Sequence, residues 1–138
     1  MNKIPYASLH VGDTAQKTRQ YTEEDVIAFA KVSGDANPVH LDEAYAATTP
    51  FKTRIVHGML VLSLFSTIFG NEIPGLGTIY VNQTVKFTKP VYFNDFITAT
   101  VTLKEMIPDR GRVVFDCVAT NQRNEVVLVG EAILIPPK

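Results

Sequence analysis

A chain of 138 residues, 46% of them hydrophobic, is long enough to bury a core of its own and too apolar to be disordered. With 13 basic and 14 acidic residues the net charge is −1 and no Lys/Arg-rich run appears, which argues against a nucleic-acid backbone as the main partner. The one cysteine, Cys117, rules out an internal disulfide and fits a reducing compartment.

In chain order, Met1 to Tyr6 lacks the apolar core of a signal peptide, so a cytoplasmic location is expected. Thr14 to Tyr21 reads as a short polar strand. Thr22 caps a helix whose first turn holds Glu23, Glu24 and Asp25 and whose apolar face, Val26, Ile27, Phe29, Ala30 and Val32, runs to Ser33. Ser33 to His40 is a bend. Gly34 suits a helix C-terminus, and Asn37, preceding Pro38, is pushed to extended geometry, so the chain is expected to run extended through His40. Asp42 caps a second short helix, Glu43 to Ala47, and Thr48 to Arg54 is a loop.

The next helix, from His57-Gly58 to Phe69, ends at Gly70-Asn71 and is apolar all the way round, as a helix surrounded by protein is. The apolar stretch Ile55 to Phe69 is short for a membrane span and carries His57, Ser63, Ser66 and Thr67, so no membrane is expected as partner. Four strands follow, over Ile79–Lys89, Phe96–Lys104, Arg112–Thr120 and Val126–Ile135, separated by turn residues. Ile79, Val81, Val85 and Phe87 share one face of the first, interrupted by Gln83. Cys117 falls on an apolar face and is read as buried and inert. The last strand is apolar on both faces, so it is covered on both sides or lies at a subunit interface.

These patterns predict a single α+β domain over residues 1–138, one buried helix wrapped by an antiparallel sheet, with a helical overhang carrying the Asp35–His40 bend. Such a sheet leaves edges and an outer face to be covered, and a homodimer is expected to cover them.

Asp35 and His40 flank a proline bend where two side chains can converge, and a carboxylate and an imidazole sharing one water can take a proton at one place and give it at another. The local reading of the same residues is that Asp and Asn start turns and that a lone His is a satisfied core or surface group.

Asp35-Ala36-Asn37-Pro38-Val39-His40, Ile55-Val56-His57-Gly58-Met59 and Thr88-Lys89-Pro90-Val91 together resemble the (R)-specific enoyl-CoA hydratases of the MaoC-like hydratase/dehydratase family, over nearly the whole chain. Asn94-Asp95 stands where such proteins often have Gly-Asp, a change that Asn tolerates in a left-handed turn. The resemblance implies the hot-dog fold and reversible hydration of trans-2-enoyl-CoA to (R)-3-hydroxyacyl-CoA. It implies no cofactor beyond the CoA of the substrate and no metal, with Asp35 and His40 as the catalytic pair.

Gly58, at the helix N-terminus, can offer its N–H to the thioester oxygen; the alternative is that it only lets the helix start close to a neighbour. His57 is read as a loop-positioning residue at the substrate site. Ser66 lies about 12 Å along the helix on Gly58's side and is a second substrate-site candidate, although a hydroxyl there can simply bond the Leu62 carbonyl. Gln83 either lines the pocket or is satisfied by backbone. Leu62, Phe65 and Phe69 are expected to bound the acyl pocket and to favour short chains. Lys52, Arg54, Lys86, Lys89, Arg110 and Arg112 are all candidates for the CoA phosphates. Two other functions fit the same fold, an acyl-CoA thioesterase and a non-catalytic acyl-CoA-binding module.

Overall fold

In the computed structural model, which describes residues 1–138, the elements run β1 (Thr14–Gln20), α1 (Glu23–Ser33), α2 (Pro38–Leu41), α3 (Glu43–Ala47), α4 (Gly58–Asn71), β2 (Ile79–Phe87), β3 (Phe96–Ile107), β4 (Arg112–Thr120) and β5 (Val126–Ile135). All five strands form one antiparallel sheet in the order β1-β3-β4-β5-β2. The hairpins β3-β4-β5 make its centre, and β1 and β2 are the edges. No helix is long and apolar enough to cross a membrane.

Strict alternation builds the core. Ile97, Ala99, Val101 and Leu103 on β3 and Val113, Phe115, Cys117 and Ala119 on β4 are all buried. They meet Val61, Leu64, Phe65, Ile68 and Phe69 of α4 in one hydrophobic cluster. Burial pushes the Cys117 thiol up to about 12, so it stays protonated and unreactive.

Local chemistry sets the overhang of α1, α2 and α3. Thr22 Oγ1 accepts the Asp25 N–H at 3.3 Å and the Asp25 carboxylate accepts the Thr22 N–H at 3.0 Å, a reciprocal cap. Gly34 ends α1 in the left-handed region at φ 80°, its N–H returning to the Ala30 carbonyl. The chain does not then run extended through His40. Asn37 is extended at φ −55°, ψ 127°, but its Oδ1 accepts the Val39 N–H and Pro38 opens the one-turn helix α2. Proline suits a first helical position because its missing N–H would have no partner there.

Two further expectations change. A β-bulge between Tyr80 and Asn82 breaks the register of β2, so Tyr80, Gln83, Val85 and Phe87 pair with Leu134, Ala132, Gly130 and Leu128, while Ile79 pairs with Ile135. The inserted residue moves Ile79 off the face of Val85 and Phe87. Nor is α4 enclosed on every side in the single chain. Met59, Ser63, Ser66 and Gly70 form an exposed stripe, because the sheet and α1 cover only the remaining faces. On β5, Leu128, Ala132 and Leu134 are fully buried, while Val129, Ile133 and Ile135 on the other face are half-buried.

Candidate active site

Three short segments converge at the N-terminus of α4: the bend after α1, residues 55–57, and Gly58 itself. Asp35 lies on the exposed bend, where its Oδ1 accepts the Asn37 N–H at 3.2 Å. His40, on α2, is buried, and its Nδ1 stands 2.7 Å from the Ile55 carbonyl. A carbonyl can only accept, so Nδ1 carries the proton and Nε2 is the nitrogen left for chemistry.

His57 packs face to face with His40, ring centroids 3.8 Å apart and planes 25° apart, and meets the Phe29 ring edge-on at 4.8 Å. Its Nε2 donates to the Asp35 carbonyl at 3.1 Å. Burial holds its pKa below the ordinary 6.5, and the neighbouring His40 pushes the same way. Asp35, His40 and His57 each bring a side-chain ligand atom within 4.8 Å of the others. All three are of metal-ligating type, but His40 Nδ1 and His57 Nε2 are already committed to carbonyls.

Leu60 and Val61 donate their N–H groups to the His57 carbonyl, whereas the Gly58 N–H has no partner within the chain. At the first position of a 14-residue helix it is a free donor at the positive end of the dipole. Gly58 also lines a cavity of about 450 Å³ whose walls include Phe51, Val56, Phe87, Val91 and Leu128. That wall is largely apolar and comes from loops, α4, β2 and β5.

The structure therefore brings the side chains of Asp35, His40 and His57 together, next in the chain to Gly58. Of the sequence candidates only Gly58 and Lys89 line the cavity itself, and Asp35, His40 and His57 are not in its wall. Leu62 is half-buried against the core, and Phe69 is fully buried between Tyr80 and Phe115, with ring centroids at 5.4 and 5.2 Å. Ser66 is exposed and makes no hydrogen bond to the Leu62 carbonyl. Gln83 faces the core side of β2, accepts from the Tyr80 hydroxyl, and donates to the Thr84 carbonyl at 2.7 Å.

Among the cations, Arg54 is engaged with Glu23 and Glu43 at 3.1 and 3.3 Å, and Lys89 with Glu125 at 2.5 Å. Phe51, Phe87 and Leu128 were not singled out as lining residues in the sequence. The Thr88–Val91 motif that ends in the same cavity was the available signal for that wall.

Residues 10–126 match the family described as the MaoC like domain. The chain is 42% identical over 132 residues to the (R)-specific enoyl-CoA hydratase of Rhodospirillum rubrum, covering 96% of this chain and 91% of that protein. It is 41% identical over 133 residues to the 3-hydroxybutyryl-CoA dehydratase of Methylorubrum extorquens, covering 96% and 84%. The fold superposes on the unliganded R-hydratase PhaJ1 of Pseudomonas aeruginosa with a TM-score of 0.93 at 46% identity, covering 99% of this chain and 87% of that one.

Proposed function

The chain belongs to the MaoC-like domain family, and from that premise we propose that it adds water reversibly to trans-2-enoyl-CoA, giving (R)-3-hydroxyacyl-CoA. The observation that carries this reading is a carboxylate and two imidazoles, one with a free Nε2, within 4.8 Å of one another and next in the chain to the unpartnered N–H of Gly58. The names of the two relatives describe this reaction in its two directions.

Attack of water at C3 needs a base, a proton for C2 and a donor for the thioester oxygen. Asp35, ionised, takes one proton from the water as the C3–O bond forms. The π electrons move toward the thioester oxygen, where the Gly58 N–H and the dipole of α4 stabilise the developing charge. His40 enters protonated, orients the water, and passes its Nε2 proton to C2. Asp35 is left protonated and His40 neutral, and transfer of that proton to His40 restores the pair. Both groups approach one face of the substrate, so addition is syn. No redox step or metal enters this scheme, and CoA is part of the substrate.

The cavity beside Gly58 supports a position for the part of the substrate adjoining the thioester. Leu62, Phe65 and Phe69 do not line that cavity; its bulky wall residues Phe51, Phe87 and Leu128 support a preference for short acyl chains instead. The exposed stripe of α4 and the unpaired edge of β2 support a homodimer as the working form.

Loss of the enoyl absorbance of crotonyl-CoA, with chiral analysis of the product, tests the reading. An (R)-3-hydroxybutyryl product without free thiol is expected. Thiol release would make the protein a thioesterase, and binding without loss of the chromophore would make it a carrier module.

A further inference from the structure

We infer that His57 is the positioning residue of the dyad: one nitrogen holds the Asp35 main chain while its ring face fixes the plane of His40. This inference rests on the hydratase reading of the site. Two contacts define it. The Nε2–H to the Asp35 carbonyl fixes the bend from which the carboxylate projects, and the 3.8 Å stack restrains the tilt of the His40 ring. The Phe29 ring meets His57 edge-on at 4.8 Å, so α1 also packs against this ring.

Neither contact alone requires histidine at this position. A phenylalanine could stack and a glutamine could donate, but an imidazole does both at once. Its remaining nitrogen, Nδ1, is buried and without a hydrogen-bond partner, so it contributes nothing to holding the loop.

Stacking also decides which ring takes the mobile proton. Two imidazoles this close resist carrying charge together. His57, almost wholly buried and committed as a donor at Nε2, is the ring that stays neutral, which leaves the exchangeable proton to His40.

The test uses the full chain in two arms. Nitrogen-15 NMR of the imidazoles across the range in which an ordinary histidine titrates, about pH 5.5 to 8.5, should show His57 neutral throughout with its proton on Nε2. Neutral His40 should hold a single Nδ1–H tautomer. A His57 that protonates within this range overturns the inference, and this arm needs no variant.

In the second arm His57→Phe and His57→Gln are assayed with crotonyl-CoA. Each should lose on the order of 10²-fold in kcat with KM little changed, as misplaced catalytic groups do, and the His40 ring signals should shift in His57→Gln, which lacks the stack. Variants with normal kcat, or an unaltered His40 spectrum in His57→Gln, overturn the inference. If Asp35→Asn and His40→Gln also turn over normally, the reading of the whole site falls. If those two are inactive while the His57 variants are not, only the positioning role falls.

Discussion

Gly58 and Phe87 are in such close contact that a Cβ on residue 58 would stand 2.8 Å from Cε1 of the ring. The position is thus closed to any side chain unless the ring moves, and the ring, at the half-exposed end of β2, can move. The same close approach keeps the free N–H of Gly58 at the wall of the cavity.

Gly58→Ala is therefore expected to lower kcat by up to about 10²-fold, the lower end of what loss of an oxyanion donor costs. Phe87→Ala in the same chain should recover part of that loss by making room for the methyl group. Steady-state rates on crotonyl-CoA for the single and double variants check this, and additive losses would show that the contact is not the cause.

Asp35→Asn and His40→Gln should each lower the rate by ~10²–10⁴-fold, the range for general acid–base groups. Both sit on the overhang and contribute little to the core, so Tm should change far less than activity. The enoyl absorbance assay beside a thermal melt makes the comparison.

Crotonyl-CoA should turn over faster than dodecenoyl-CoA. The cavity beside Gly58 is about 450 Å³ and is walled by Phe51, Phe87 and Leu128, which leaves more room for a short acyl chain than for a long one. A series of enoyl-CoA substrates of increasing length measures the preference in kcat/KM, and faster turnover of the longer substrate would contradict it.

Light scattering should give twice the 15.3 kDa of one chain at micromolar concentration. A monomer mass there would mean that the edge of β2 and the Met59–Ser66 stripe stay open in solution.

Stability should fall in two separate pH ranges. His57 has its pKa lowered in the folded chain, so its contribution is full above about 6.5 and is lost as pH falls, because the unfolded chain binds the proton more readily. Glu125 accepts from Lys89, Asn121 and Arg123, which hold its carboxyl at about 2 against 4.5, so its contribution is full above 4.5 and is lost as pH drops toward 2. Melting temperatures against pH should therefore show a first decline below neutrality that His57→Phe removes and a second, acid decline that it leaves.

Period-two patterns carried most of the sheet. Ile97 to Leu103 and Val113 to Ala119 alternate without a break, and their strands lie where the sequence puts them. The β2 face was not legible, since the bulge at Val81 is set by pairing with β5 and leaves no local mark. The α2 turn was hidden because four residues have no period, and Pro38 suits a bend and a helix start equally well. Asp35, His40 and Gly58 stood out by type and spacing within short stretches. The cavity wall did not, because Phe51, Phe87 and Leu128 come from segments far apart in the chain and meet only in the folded state.

Arg54 ties the overhang to the rest. Its guanidinium lies over the Phe93 ring, 4.8 Å from the centroid, and reaches Glu23 at the start of α1 and Glu43 at the start of α3. The platform bearing the acid and the imidazole is thus anchored by one cation as well as by apolar packing. Salt weakens the first attachment and spares the second. Rising ionic strength should then blunt turnover while the sheet and its helix remain intact, giving an enzyme that loses its rate well before it loses its shape.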